Sequence, residues 1–373
     1  MNWSMNLTPP RTTRTTFSNS CSNRLNIQKS MKIAVQSRSG EAAFDCGDSE
    51  AILHAGLRQG ISLPYECATG TCGTCRARVL SGTVEVRWKE APGGARLKPE
   101  KGDILMCQTR ARSDCVLKVP SEIGIMEQRP AQRRGIIRDI RKLTHDVARF
   151  EIRLSAPMSF EAGQFVVVDA SQIEGGRAYS MVNFDTEGDL IELVVKRKPG
   201  GRFSDWLFSA QQGHPEVVVF GPLGRAVFRP REKKNIVCIA GGSGIAGMMS
   251  MLQCAVQADY FRDHKGSVFF GVRTLQDAFY LEPLARYVTS SHGNLEVLIA
   301  LSNEAAMTAF HADFPVLRLA GGFVHEVARK AMAGGAGDTI AFVAGPPIMV
   351  DAAIRGLIIC GMPSQDIRYD KFG

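Results

Sequence analysis

The chain has 373 residues, 45% of them apolar, and a formal net charge of +8; at ~100–200 residues per domain this asks for two or three domains with real cores. Ten cysteines are too few for a disulfide-built scaffold. Much of the positive excess lies at the start: residues 1–40 contain Arg11, Arg14, Arg24, Lys29, Lys32 and Arg38 and no acid. That argues against nucleic acid as a partner, which requires a basic stripe on a folded face.

Residues 1–30, rich in Ser, Thr, Asn and Arg and without apolar periodicity, are expected to be a disordered basic tail. Folding is expected to begin at Met31, where MKIAVQ alternates as a strand does. An Arg- and Ser-rich leader is also the composition of an organelle transit peptide. We read it as a dispensable extension, and no apolar segment with a small-residue cleavage site marks a secretory signal. Residues 31–121 hold short strands, a helical patch (SEAILHAGLRQG) and a cysteine loop, and PSEIGIMEQRPAQRRG is expected to act as a hinge. The basic run from Arg129 to Lys142 is read as a solvated surface.

Residues 132–231 are strand-rich (ARFEIRLSA, QFVVVDA, IELVVKRK, EVVVFGP) with Gly and Pro turns, as in a small antiparallel barrel. Residues 232–373 alternate apolar strands (NIVCIA, SVFFGV, LEVLIAL, IAFVAG) with helical stretches, which signals a doubly wound parallel sheet. The uncharged run from Asn235 to Ala258 is long enough to span a bilayer. Its central glycines mark a strand, a turn and a buried helix instead, so no membrane association is expected.

In YECATGTCGTC, Cys67, Cys72 and Cys75 form C-x4-C-x2-C, and Cys107 follows. The spacing matches a plant-type 2Fe-2S site, and Gly70 and Gly73 would let backbone N–H groups turn toward sulfur. The alternative is zinc, which usually shows two C-x2-C pairs. The other six cysteines follow no spacing and read as buried thiols, consistent with a cytoplasmic, reducing location. The seven histidines are dispersed, and no Glu-x-x-His pair of a di-iron centre occurs.

LPYECATGTCGTCRARVLSGTVE resembles a plant-type ferredoxin domain of the β-grasp fold. RAYSMVN resembles the flavin motif of the ferredoxin–NADP reductase superfamily, which implies that Arg177 pairs with a flavin phosphate, Tyr179 packs on the isoalloxazine and Ser180 hydrogen-bonds near its N5. GGRFSDWL, with Gly201 and Ser204 at a helix N-terminus, resembles that family's second phosphate element and points to FAD. AGGSGIAGM places Gly241, Gly242 and Gly244 in the pyrophosphate loop, with Gly247 where relatives typically carry Pro. AGPPIMV puts Gly345 and Pro346 at the nicotinamide's entrance, with Ala344 where relatives often have Cys. Ser302 is followed by Asn303 and Glu304; the Glu304 carboxylate would repel a 2′-phosphate and accept a ribose hydroxyl, so NADH is expected.

The order of domains resembles the reductase component of bacterial multicomponent oxygenases. The insert VRWKEAPGGARLKPEKG, GGFVHEV and the ending YDKFG are similar to the toluene monooxygenase group. The resemblance implies hydride transfer from NADH to FAD and single electrons through the 2Fe-2S cluster to a terminal oxygenase, hydroxylase or intermediary ferredoxin, with Phe372 stacking on the flavin. Reductases of Rieske dioxygenases and of deoxysugar dehydratases share these domains.

Overall fold

The computed structural model describes residues 30–209, 213–303 and 313–372. The tail 1–29 and Glu304 lie outside them.

The first sheet has the strand order Glu41–Gly47, Ser30–Gln36, Cys115–Lys118, Arg76–Ser81, Asp103–Leu105. Ser30–Gln36 and Cys115–Lys118 run parallel, with Ile33 opposite Cys115, and the remaining neighbours are antiparallel. The helix Ile52–Arg58 buries Ile52, Leu53, Ala55 and Leu57. The expected hinge is instead stitched to this unit: Gly124–Ile125 pairs with Ile61–Ser62, and the Met126 N–H donates to the Gly60 carbonyl at 2.8 Å.

The second sheet is antiparallel, in the order Arg177–Ser180, Phe165–Ala170, Glu216–Leu223, Ala131–Lys142, Val147–Leu154, Leu190–Lys196. A bridge from Met181 to Leu193 joins its two ends and nearly closes a barrel. The basic run from Arg129 is the source of the long strand Ala131–Lys142, with Gly135 and Ile137 buried between its charges. A charged strand of this kind reads as surface because only one face enters the barrel.

The third sheet is fully parallel: Arg318–Gly321, Leu295–Leu301, Gly266–Val272, Asn235–Gly241, Thr339–Gly345, Ile367–Lys371. Two short edge strands extend the four read from the sequence. Strand order reverses between Asn235–Gly241 and Thr339–Gly345, the switch point where ligands bind in open α/β sheets. The segment 235–258 is a strand, a turn and the buried helix Ile245–Gln257. No helix among the described residues is long and apolar enough to cross a membrane.

The units share cores. Phe165–Ala170 is buried on both faces: Val166 and Val168 fill the barrel, while Phe165 and Val167 join Phe220 and Leu223 in a cluster with Leu53, Leu57 and Leu63 of the cysteine domain. Burial of this kind contributes roughly 25 cal/mol per Å² of apolar surface removed from water, which fixes the cysteine domain against one wall of the barrel.

Candidate redox site

In the cysteine loop, Ala68, Gly70 and Gly73 adopt positive φ values of 56°, 95° and 82°. These turns aim amides at sulfur: Thr69 and Cys72 N–H donate to Cys67 Sγ at 3.4 Å, and Cys67 and Thr74 N–H to Cys72 Sγ at 3.5 Å. Gly73 tolerates no side chain, since a Cβ there would lie 2.7 Å from the Gly93 carbonyl oxygen. Cys67, Cys75 and Cys107 are buried, Cys72 is partly exposed, and none of the four is in a disulfide.

The sulfurs form two pairs, Cys67 with Cys72 and Cys75 with Cys107, the latter 3.2 Å apart. The Cys72 thiol, aided by Thr71 and the amides of Thr69 and Cys72, lowers the pKa of the Cys67 thiol against the opposing effect of burial. The Cys75 thiol, and then burial, raise that of Cys107. Among the described residues, only His145, Asp146 and Asp277 bring three ligand atoms within 4.8 Å of one another. The four sulfurs are therefore spread wider than the tetrahedral shell of one zinc ion; two pairs of sulfurs, one of them met by inward amides, suit two irons.

The insert after Cys75 seals this loop. Gly93 N–H donates to the Gly70 carbonyl at 2.9 Å, and a Cβ on Gly93 would sit 2.5 Å from the Gly73 nitrogen. In the sequence this insert is a family marker, and its glycines are the signal for close backbone approach.

On the strand Arg177–Ser180, alternation separates Arg177 and Tyr179 from Ala178 and Ser180. Arg177 donates to the carbonyls of Gly175 and Gly176 at 3.0 and 3.1 Å and lines a cavity of about 330 Å³. Tyr179 lies between Phe150, edge-on at 5.9 Å, and Phe203 at 5.5 Å, and burial raises its phenol pKa. Ser180, on the other face, is opposite Phe165 in register and beside Gly247, where a Cβ would come within 3.4 Å of Ser180 Cβ. The Ser204 hydroxyl bonds within its own turn, accepting from Lys198 N–H at 3.1 Å and donating to the Gly201 carbonyl at 3.1 Å. Ser204 thus shapes the start of the helix Arg202–Ser209, whose first N–H groups are the anion donors such a terminus offers.

At the switch point, Gly242 has φ of +53°, and Gly244 packs so tightly on the neighbouring strand that a Cβ would be 2.3 Å from the Ala344 oxygen. Gly345 ends that strand and Pro346 precedes the helix Pro347–Ile359. Phe372 N–H donates to the Gly345 carbonyl at 3.1 Å, and its ring meets Phe165 edge-on at 5.9 Å. The C-terminal aromatic, the mouth of the parallel sheet and the Ser180 strand therefore meet at one place.

A paired-cysteine loop, an antiparallel barrel and a switch-point glycine loop in one packed unit define an iron–sulfur flavoprotein oxidoreductase. Residues 35–112 match the 2Fe-2S iron-sulfur cluster binding domain, 135–228 the oxidoreductase FAD-binding domain and 238–355 the oxidoreductase NAD-binding domain. The chain is 34% identical over 338 residues to the ferredoxin–NAD(P)+ reductase CarAd of Metapseudomonas resinovorans, covering 89% of this chain and 98% of that protein. It is 30% identical over 329 residues to the phenol 2-monooxygenase reductase component DmpP of Pseudomonas sp. strain CF600, covering 87% and 90%. The solved ferredoxin reductase in carbazole 1,9a-dioxygenase superposes with a TM-score of 0.79 at 31% identity, covering 92% of this chain and 99% of that one. The chain belongs to the ferredoxin–NAD(P)+ reductase components of multicomponent oxygenases, with a 2Fe-2S cluster, FAD and a nicotinamide dinucleotide as cofactors.

Proposed function

We propose that this reductase takes electrons from NADH and delivers them to the hydroxylase of an aromatic-hydrocarbon monooxygenase. When bound, these groups would supply the redox chemistry: hydride donation by NADH, a two-to-one electron split at FAD and single-electron transfer at the cluster. Cys67, Cys72, Cys75 and Cys107 would hold the cluster, with the amides aimed at Cys67 and Cys72 offsetting the charge on sulfur there. Arg177 holds a flavin phosphate by charge-assisted hydrogen bonds, with the amides after Gly201, shaped by Ser204, as the second anion site. Tyr179 flanks the flavin and Ser180 presents a hydroxyl toward its reacting nitrogen. Gly241, Gly242 and Gly244 admit the coenzyme's pyrophosphate, and Gly345 and Pro346 its nicotinamide. Phe372, held at Gly345 and against Phe165, would be the aromatic side chain nearest the site where flavin and nicotinamide would meet.

The observation that carries the reading is the shared core of Phe165, Val167, Phe220 and Leu223 with the cysteine domain. It packs the cysteine domain against the strands that neighbour Ser180. We take the units as residues 31–121, 132–231 and 232–373, and the location as cytoplasmic, which suits a chain whose ten cysteines are too few for a disulfide scaffold. The choice of NADH rests on Glu304. The hydroxylase reading is supported by the Trp88-to-Gly93 insert and the phenol 2-monooxygenase relative. The carbazole dioxygenase relative favours a ring-hydroxylating dioxygenase as the second reading.

The test is anaerobic absorption spectroscopy of the wild type and Cys107→Ser with NADH and NADPH in parallel. NADH should bleach both flavin and iron–sulfur bands in the wild type and only flavin in the variant. A wild-type protein that is colourless and holds zinc would overturn the reading.

A further inference from the structure

The cavity beside Arg177 is walled by two domains. Arg177 and Arg202 line it from the barrel, and Thr69, Arg87, Trp88 and Gln108 line it from the cysteine domain. Positive charge converges here from both sides: Arg87, Arg177 and Arg110 all act on the carboxyl of Asp169. Arg110 Nε is buried without a partner, and burial followed by the neighbouring Arg87 lowers the guanidinium's pKa. Of the acids lining the cavity, Glu174 lies 3.9 Å from Arg202, and Glu90 is exposed. Arg87 and Arg202 present exposed guanidiniums at the rim of this cavity, Arg202 beside Glu174, and such planar forks match the geometry of a phosphate. Trp88 is 39% exposed and borders the same space, so an aromatic face stands beside that anion site.

The geometry points to the cysteine domain as the missing wall of the flavin dinucleotide site, with Arg87 facing the diphosphate across from Arg177 and Trp88 stacking on the adenine. Cationic fork and aromatic plate are the two groups that an adenosine diphosphate moiety asks for. The dinucleotide is then clamped between two domains, and its adenosine half reports whether they are docked. This inference rests on the reading of Arg177 as a flavin-phosphate ligand.

The test is titration of flavin-stripped, full-length protein with FAD and with FMN, read by flavin fluorescence. Arg87→Gln and Trp88→Ala should each weaken FAD binding about tenfold, the scale of one charge-assisted hydrogen bond or one base stack. Trp88→Ala should leave FMN binding unchanged, Arg87→Lys should restore part of the loss, and Lys89→Gln, a nearby exposed charge outside the cavity, should have no effect. Wild-type FAD affinity in Arg87→Gln and Trp88→Ala, with Arg177→Gln weakened, would overturn the second wall and leave the Arg177 reading intact. Wild-type affinity in Arg177→Gln as well would overturn that reading itself. Equal loss of FAD and FMN in Trp88→Ala would remove the adenine contact.

Discussion

The His54 imidazole stacks on the Phe220 ring at a centroid distance of 4.4 Å and an angle of 20°, across the boundary between the cysteine domain and the flavin barrel. His54 also bonds to the backbone of Ala68 in the cysteine loop, and its Nε2 is buried without a partner. Tyr65 adds a second tie, its hydroxyl accepting from Gly224 N–H at 3.2 Å.

Burial lowers the His54 pKa from 6.5 to about 4. Between those values the unfolded chain holds more protons than the folded one, so stability rises with pH through this window. The contribution is fully present above 6.5 and is lost as pH falls toward 4, at most about 3 kcal/mol at 1.36 kcal/mol per unit. His54→Phe keeps the stack and removes the titration. Its unfolding midpoint should fall less than the wild type's between pH 7 and pH 5, and an equal fall would exclude His54 as the source.

Gly93→Ala drives a methyl group into the backbone of Gly70 and Gly73, whereas Gly94→Ala meets nothing closer than 3.8 Å. The first should strain the cysteine loop by about 1–3 kcal/mol and lower bound iron per chain while flavin content holds. The second should retain wild-type iron. Equal iron in both variants would contradict the sealed-loop geometry.

Asp370 is buried beside Glu66, and desolvation followed by the Glu66 charge raises its pKa from 3.8 to about 7. Here the folded state holds the extra proton, so this group's contribution to stability falls as pH rises from about 4 to 7. Asp370→Asn should therefore raise the unfolding midpoint at pH 8 and change it little at pH 4. A lower midpoint at pH 8 would show that the charged form is the one the fold requires.

Gly247 occupies the first turn of Ile245–Gln257, and a Cβ there would make ordinary contact with Ser180 at 3.4 Å. Gly247→Ala should stabilise the protein by about 0.5–1 kcal/mol through helix propensity. A fall in the unfolding midpoint would mean that Ser180 has no room to yield.

The cysteine spacing, the barrel strands and the Gly-rich turn were legible because each is a local requirement: ligand gaps, period-two alternation, a chain that must bend. The edge strands Arg318–Gly321 and Ile367–Lys371 were not read as strands, since short polar edges carry no apolar run. QFVVVDA is a continuous apolar run, which by itself says strand and no more. In an antiparallel sheet such a run means that both faces are covered, which was the available sign that another domain packs on the barrel.

The cofactor classes were readable in the amino-acid order alone, because metal ligation and phosphate binding need particular side chains at fixed short spacings. The packing of the cysteine domain on Phe165, Val167 and Phe220, the closure of the cysteine loop by Gly93 and the cavity shared by Arg87 and Arg177 arise only on folding. Those contacts join residues far apart in the chain, and packing between surfaces leaves no periodic signal in either segment alone.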